Sequence, residues 1–126
     1  MLLTDHTKRK IYIILTVCYA TLIFVASSGP LVLPLGKPIF KDKTLHVIEY
    51  SILGFLTLSC FKNRNLIPIT IFAFVIATLY GVSDELHQYF VPGRMFSVYD
   101  IAANSVGSFF GVFINSQLYR RRLNKR

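Results

Sequence analysis

Residues 66–90 read LIPITIFAFVIATLYGVSDELHQYF, and no charged side chain occurs in this stretch before Asp84. An uncharged apolar run of this length is typical of a helix that spans the hydrocarbon core of a membrane. At about 1.5 Å per residue, a helix from Leu66 to Asp84 rises about 27 Å, close to the roughly 30 Å thickness of that core. The stretch therefore predicts a spanning helix that ends in two acids, Asp84 and Glu85, at one membrane face.

The composition of the whole chain agrees with this class of protein. The chain has 126 residues, 53% of them hydrophobic, and a mean hydropathy of +0.52. This length predicts a single domain, residues 1–126. The net charge of +8 could indicate nucleic-acid binding, but the basic residues flank apolar runs. We therefore expect the bilayer as partner and no nucleic acid.

Three further apolar runs predict an all-α integral membrane protein, a four-transmembrane-helix bundle. Its predicted spans are residues 11–28, 44–61, 66–90 and 98–118. The first run follows three basic residues and resembles a cleavable export signal, but it is long for the apolar core of such a signal, which has about 7 to 15 residues. We therefore expect a retained anchor.

The connections between the spans differ in composition. Prolines and glycines recur in Gly29–Lys43, and each proline removes a helical hydrogen bond and clashes with the preceding turn. We predict an apolar loop that lies in the membrane interface or folds over the bundle. Residues 62–65 predict a tight basic hairpin, and Pro92-Gly93 predicts a turn.

The distribution of Lys and Arg predicts the orientation of the chain. The larger group lies at the two ends and in the middle hairpin: Lys8, Arg9, Lys10, Lys62, Arg64, Arg120, Arg121, Arg122, Lys125 and Arg126. The smaller group is Lys37, Lys41, Lys43 and Arg94. Because short cytoplasmic loops are enriched in basic residues, we expect both termini and the hairpin in the cytoplasm.

Polar residues then collect at the outer face. Residues three or four apart share a helix face, so three helices each present one polar stripe. The stripes are His46, Glu49 and Tyr50; Glu85 and Gln88; and Asp100, Asn104, Gly107 and Gly111. Ionisable groups are costly in a membrane, so we expect these stripes to meet in a functional site, with the first helix as support.

The residue types suggest roles at this site. Glu85 is the candidate general base, and His46 and Asp100 complete the candidate catalytic set. Arg94 is a candidate ligand for a phosphate or carboxylate, although it could instead pair with Glu85 or lock the turn to Asp100. The other candidate substrate-binding residues are Asp42, Lys43, Glu49, Tyr50, Gln88 and Asn104.

Alternatives to these roles stay open. His46 and Glu49 could form a hydrogen-bonded clamp between helices. His46, Glu85 and Asp100, with His87 and Glu49, offer metal donors, but no HExxH or comparable spacing occurs, so we expect no cofactor and keep a divalent metal as the alternative. Gly107-x-x-x-Gly111 predicts close helix packing, within the chain or in an oligomer.

Polar and glycine positions also recur with the spacing of a known family. They are Asp42-Lys43-x-x-His46-x-x-x-Tyr50-x-x-Leu53-Gly54 and Glu85-x-x-Gln88-x-x-x-Pro92-x-Arg94-x-x-Ser97-x-x-Asp100-x-x-x-Asn104-x-x-Gly107-x-x-x-Gly111. This pattern resembles the VanZ-like family of small membrane proteins and covers about residues 42–111. The first span matches the family by hydropathy alone.

The resemblance implies a multi-pass protein of the bacterial plasma membrane that acts in the cell envelope. The founding member is linked to low-level resistance to the glycopeptide teicoplanin, and most relatives have no assigned biochemical activity. We therefore expect an outward-facing site that binds or acts on an envelope lipid, a lipid-linked wall precursor or a glycopeptide. No motif decides between a membrane hydrolase or transferase and a noncatalytic accessory or structural subunit.

Overall fold

The structure is a computed structural model that describes residues 4–29, 39–61 and 66–125, with the side chains of the second helix described from Lys43 onward. Within these ranges all regular structure is α-helical. The helices are α1 (Asp5–Ser27), α2 (Ile39–Ser59), α3 (Leu66–Tyr89) and α4 (Val98–Leu123). The predicted all-α fold is confirmed, and each predicted span overlaps one helix.

Three helices, α1, α2 and α4, extend beyond the predicted spans. α1 begins at Asp5 because Thr4 caps it: the Thr4 hydroxyl accepts a hydrogen bond from the N–H of Thr7 at 3.3 Å. α4 continues to Leu123, and the basic residues Arg120–Arg122 lie in its last turn. Basic side chains there interact favourably with the negative end of the helix dipole.

The start of α2 corrects the predicted loop. We expected Gly29–Lys43 to be non-helical, but residues 39–43 belong to α2. The last proline of this segment is Pro38, so no proline interrupts α2 between Ile39 and Ser59. The rest of the predicted loop, residues 30–38, and the predicted hairpin at residues 62–65 lie outside the described residues.

The turn predicted at Pro92-Gly93 is confirmed. Gly93 has a φ of 83°, a conformation that side chains other than glycine rarely adopt. The N–H of Arg94 donates to the carbonyl oxygen of Val91 at 3.1 Å, which closes the turn. This turn reverses the chain between α3 and α4.

Helices α1 and α3 run in the same direction. The Tyr80 hydroxyl of α3 donates to the carbonyl oxygen of Ala20 in α1 at 2.6 Å. Further along both helices, the Ser27 hydroxyl donates to the carboxylate of Asp84, also at 2.6 Å. The carboxyl ends of α1 and α3 therefore lie side by side.

Helices α2 and α4 run together in the opposite direction. Lys43 and Asp100 form an ion pair near their amino ends. Near their carboxyl ends, the Asn115 side-chain amide donates to the carbonyl oxygen of Phe55 at 2.6 Å. The carboxyl ends of α1 and α3 thus meet the amino ends of α2 and α4 at one end of the bundle.

Glycines bring α2 and α4 into backbone contact. A Cβ atom on Gly54 would lie 2.5 Å from the carbonyl oxygen of Ser108, closer than real Cβ atoms approach. Cβ atoms on Gly107 and Gly111 would overlap carbonyl oxygens of α2. The face at which the sequence predicts close packing is therefore occupied by α2 of the same chain. We call these contacts the glycine seam.

The outer surface of the bundle is strongly apolar. Ile67 and Leu79 of α3, for example, are 65% and 61% exposed. By length and composition, α1 and α3 could cross a membrane: their most apolar windows have mean hydropathies of 1.9 and 2.1, and only 11% and 17% of these windows is buried. Such low burial differs from that of a core helix in a soluble protein. α2 and α4, which carry the polar stripes, are not apolar enough by the same measure.

Replacing Gly111 with Ala should separate α2 from α4, because its new methyl group would overlap the backbone of α2. Overpacking of this kind costs about 1–3 kcal/mol, so the unfolding midpoint in mixed detergent micelles should fall. Circular dichroism would measure the midpoint. The control is Gly29→Ala, which adds the same methyl group where the nearest atom is 3.9 Å away. Equal midpoints for the two variants would contradict the glycine seam.

Candidate functional site

Polar side chains from three helices meet at the end of the bundle where α3 ends and α2 and α4 begin. We call Lys43, His46, Glu85, Asp100 and Asn104 the polar cluster. One donor atom from each of His46, Glu85 and Asp100 lies within 4.8 Å of the other two. Glu85, Asp100 and Asn104 are buried, and His46 is half-buried. The three residues expected to be catalytic are thus neighbours, while their catalytic role stays a prediction.

Asp100 is held by the first turn of α4 and by α2. Ser97 is the N-cap of α4, and its hydroxyl accepts the N–H of Asp100 at 3.3 Å. In a capping box, the acid three residues after the cap would accept the N–H of the cap residue itself. Glu85 of α3 accepts that N–H instead, at 3.3 Å. The Asp100 carboxylate turns toward α2 and pairs with Lys43.

The tautomer of His46 follows from its contact with Asn104. Nδ1 of His46 lies 2.9 Å from Oδ1 of Asn104. Because an amide oxygen only accepts hydrogen bonds, Nδ1 must carry a proton. In the neutral ring, Nε2 is then an unprotonated acceptor that faces Oδ1 of Asp100 at 3.9 Å. Two acceptors in this position are suited to share a cation or a proton.

Glu85 contributes a carboxylate with one unsatisfied oxygen. Its side chain is 0% exposed, and Oε2 accepts the N–H of Ser97. Oε1 has no hydrogen-bond partner among the described residues. Leaving a buried polar group without a partner costs about 1–3 kcal/mol, and more for a charged group. This oxygen is therefore suited to receive a ligand, a cation or a proton.

Further polar groups are buried near Asn104. Tyr50 and Ser108 are 0% exposed. The Tyr50 and Ser108 hydroxyls and Nδ2 of Asn104 lack hydrogen-bond partners within the part of the chain that the structure describes. Gly81 makes room for Asn104 and Tyr50, since a Cβ there would lie 2.9 Å from Cβ of Asn104 and 3.0 Å from Cε1 of Tyr50. Nδ2 of Asn104 thus offers a hydrogen-bond donor to a polar ligand, whereas the Tyr50 hydroxyl lies toward Asp84.

Asp84 belongs to a different group, which joins α3 to α1. Ser27 donates its hydroxyl to Oδ1 of Asp84 at 2.6 Å, and Gln88 donates its side-chain amide to Oδ2 at 2.9 Å. Both carboxylate oxygens therefore have partners. Gln88, a predicted substrate-binding residue, holds Asp84 in place in this structure.

Arg94 binds the carboxyl end of α1. Its Nε donates to the carbonyl oxygen of Gly29 and its Nη2 to that of Ala26, both at 3.1 Å. The last carbonyls of a helix lack helical donors and carry partial negative charge, so they attract a cation. The interpretations that pair Arg94 with Glu85 or Asp100 are wrong, since no described carboxylate lies within 4.0 Å of the guanidinium.

Two other predicted metal donors, Glu49 and His87, are not part of the polar cluster. Glu49 is half-buried on α2 and is not among the donors that meet within 4.8 Å. Nε2 of His87 lies 3.0 Å from the Ser28 hydroxyl, and its ring stacks on Phe24 with centroids 4.3 Å apart. The side chain of Asp42 lies outside the described residues.

Sequence reasoning missed several residues that position the site: Ser27, Gly81, Ser97 and Ser108. The spacing Ser97-x-x-Asp100 is that of a capping box and could have predicted both the start of α4 and the contact between these residues. Ser108 follows Asn104 by one helical turn, so the polar stripe of α4 could have been extended to it. Ser27 and Gly81 give no local signal, because their partners lie on other helices.

The fold and the site define a small helical protein with one polar cluster at an end of its bundle. Residues 11–119 match the model of the VanZ/LLP1 family, and the chain belongs to this family. The resemblance to the VanZ-like family, inferred from the spacing of polar residues, is confirmed. No curated protein and no solved structure matches the chain at a significant level. Family membership and the two membrane-compatible helices indicate a membrane protein.

Replacing Arg94 with Ala should loosen α1, because two hydrogen bonds from a charged donor are lost, each contributing about 1.5–3 kcal/mol. We expect a lower melting temperature in detergent and faster proteolysis near Ser27. Arg94→Lys should keep only part of the stability. Its ammonium group can donate to a carbonyl oxygen but cannot reproduce the planar fork of arginine. Arg121→Ala, exposed at the end of α4, is the control. If Arg94→Ala melts like Arg121→Ala, Arg94 does not hold α1.

Proposed function

We propose that this VanZ-family chain is a multi-pass protein of the bacterial plasma membrane that binds a cell-envelope molecule at the polar cluster. The ligand is the polar part of an envelope lipid, a lipid-linked wall precursor or a glycopeptide. Binding there would contribute to glycopeptide resistance, including resistance to teicoplanin.

The alternating helix directions support four spans. If α1 and α3 cross the membrane, α2 and α4 return between them, and the polar cluster lies at one membrane face. The basic last turn of α4, Arg120–Arg122, lies at the opposite end of the bundle. By the positive-inside rule that end is cytoplasmic, so the polar cluster faces outward. Envelope precursors and glycopeptides are found on that side.

The observation that carries the proposal is the unsatisfied Oε1 of buried Glu85, next to His46 and Asp100. Nδ2 of Asn104, in the same cluster, also lacks a partner among the described residues. A ligand that offers both donors and acceptors would satisfy these groups together. The Lys43 side chain is 29% exposed, against 12% for His46 and 10% for Asp100, so the polar group of the ligand would enter past Lys43.

Binding fits the contacts better than nucleophilic catalysis does. A serine nucleophile needs a base within hydrogen-bond distance. The Ser108 hydroxyl lies one helical turn after Asn104 on α4, and its oxygen has no hydrogen-bond partner in the described ranges. Nδ1 of His46 contacts Asn104, not the Ser108 hydroxyl. A hydrolase or transferase activity would therefore have to be detected by experiment.

The proposed topology predicts opposite accessibility for the two ends of the bundle. Single cysteines would be placed at Met95, 84% exposed in the turn after α3, and at Asn124, exposed after α4, in a chain lacking Cys18 and Cys60. A membrane-impermeant maleimide should label Met95→Cys in intact cells and Asn124→Cys only after permeabilisation. Labelling of both cysteines from the same side would contradict four spans, and the reverse pattern would place the polar cluster in the cytoplasm.

Glu85→Gln should abolish most of the function, because it removes the buried charge and keeps the shape of the side chain. Loss of a charge-assisted hydrogen bond of about 1.5–3 kcal/mol predicts roughly 10- to 100-fold weaker binding. Wild type, Glu85→Gln and an empty vector would be compared in a glycopeptide-sensitive bacterium at equal membrane levels, measuring teicoplanin killing. Asp5→Asn makes the same acid-to-amide change on an exposed residue at the other end of the bundle and should behave as wild type.

Mass spectrometry of the lipid-linked precursors in these strains separates the interpretations. A binding protein leaves the chemical composition of the pool unchanged, and the ligand should copurify with wild type but not with Glu85→Gln. A new precursor species that appears with wild type but not with Glu85→Gln would reject a purely binding function and show a hydrolase or transferase activity. Equal killing of wild type and the empty-vector strain would reject the resistance role.

A further inference from the structure

We propose that the polar cluster holds a divalent transition metal, Zn²⁺ in the first instance, through His46, Glu85 and Asp100. One donor atom from each residue lies within 4.8 Å of the other two. The three ligands come from α2, α3 and α4, so the ion would join three helices. This site uses the same Glu85 oxygen as the proposed ligand site, so with a metal bound the ligand would bind at the open coordination position of the metal.

The hydrogen bond of His46 prepares the ring for metal binding. A metal-binding histidine commonly donates its second ring N–H to a carbonyl or carboxylate, which fixes the tautomer and the ring orientation. Asn104 supplies that acceptor, with its Oδ1 2.9 Å from Nδ1 of His46. Nε2 then points an unshared electron pair at the Asp100 carboxylate, 3.9 Å away. The two acceptors repel unless a proton or a cation lies between them, and the Lys43 ammonium contacts the same Asp100 oxygen.

The unsatisfied oxygen of Glu85 is an independent observation at the same place. Glu85 is 0% exposed, and Oε1 has no partner among the residues that the structure describes. The other oxygen is fixed by the N–H of Ser97. A carboxylate held on one oxygen and unsatisfied on the other is suited to bind an ion with the second.

Charge balance also favours a cation. Glu85 and Asp100 place two buried carboxylates in the polar cluster, and Lys43 pairs with one oxygen of Asp100. Unbalanced charge is costly in a buried site. Lys43 contacts Oδ1, the same oxygen that faces Nε2 of His46, so a bound metal would take Oδ2 of Asp100 or displace Lys43 from Oδ1. The two carboxylates and Lys43 leave one negative charge, which attracts a cation.

The donor set favours zinc over magnesium. Imidazole nitrogen suits Zn²⁺ and other transition metals, whereas Mg²⁺ prefers oxygen ligands and water. Zinc bonds of about 2.0 Å at tetrahedral angles place donors roughly 3.3 Å apart, so these side chains would have to close by up to roughly 1.5 Å. Three protein ligands leave a fourth position for water or for a polar group of a ligand.

The purified, tag-free protein in detergent would be dialysed against Zn²⁺ or Mg²⁺. Bound metal would then be measured by mass spectrometry and by competition with a chromogenic chelator. Wild type should retain one Zn²⁺ per chain and show little Mg²⁺. His46→Gln and Glu85→Gln should each weaken zinc binding more than about 100-fold, and Asn104→Ala about 10- to 100-fold, because Asn104 holds the His46 ring in place. Co²⁺ bound to wild type should give the visible spectrum of a tetrahedral nitrogen–oxygen site.

The chain has three histidines, which allows a complete set of controls. His6→Gln and His87→Gln should bind zinc as wild type does, and so should Glu49→Gln, an acid on the same helix as His46 but outside the donor group. Zn²⁺ should also raise the melting temperature of wild type and not that of His46→Gln, since a ligand of the native state stabilises it. Circular dichroism establishes that the variants are folded. Absence of bound zinc in wild type, or zinc retained equally by His46→Gln, would overturn the proposal.

Discussion

The backbone contact between α2 and α4 is the constraint on which the rest of the structure depends. Gly107 and Gly111 let the two helices approach until no side chain fits between them. At this separation the short side chain of Asn104 reaches His46 on the neighbouring helix. Hydrogen bonds weaken steeply beyond about 3.2 Å, so a wider spacing would break this contact and leave buried polar groups unpaired. The glycine seam therefore positions the polar cluster as well as the helices.

Two acids that are adjacent in the sequence have different surroundings. Successive residues of an α-helix point about 100° apart, so Asp84 and Glu85 face different neighbours. Asp84 faces α1, and both of its oxygens are hydrogen-bonded to Ser27 and Gln88. Glu85 faces α4 and keeps one unsatisfied oxygen. One residue pair thus supplies a structural clamp and a candidate binding group.

Most of the fold could be predicted from the sequence, because hydropathy and proline positions are properties of each segment alone. The four helices, their all-α class and the turn at Pro92-Gly93 follow from such local signals. The spacing of polar residues along each helix also indicated that the faces carrying His46, Glu85 and Asp100 can meet. Spacing does not give the rotation of one helix against another, and this rotation decides which partners are reached. The contacts of Arg94 and Ser27 with other helices could therefore not be predicted.

The interior below the polar cluster is filled. Tyr50 and Leu53 are 0% and 2% exposed, and Leu58, Ala73 and Val112 form the next buried layer. The glycine seam leaves no gap between α2 and α4 along the same path. Across the described helices, packed side chains thus separate the polar cluster from the opposite end of the bundle. A molecule bound at His46 would therefore leave from the end of the bundle at which it arrived.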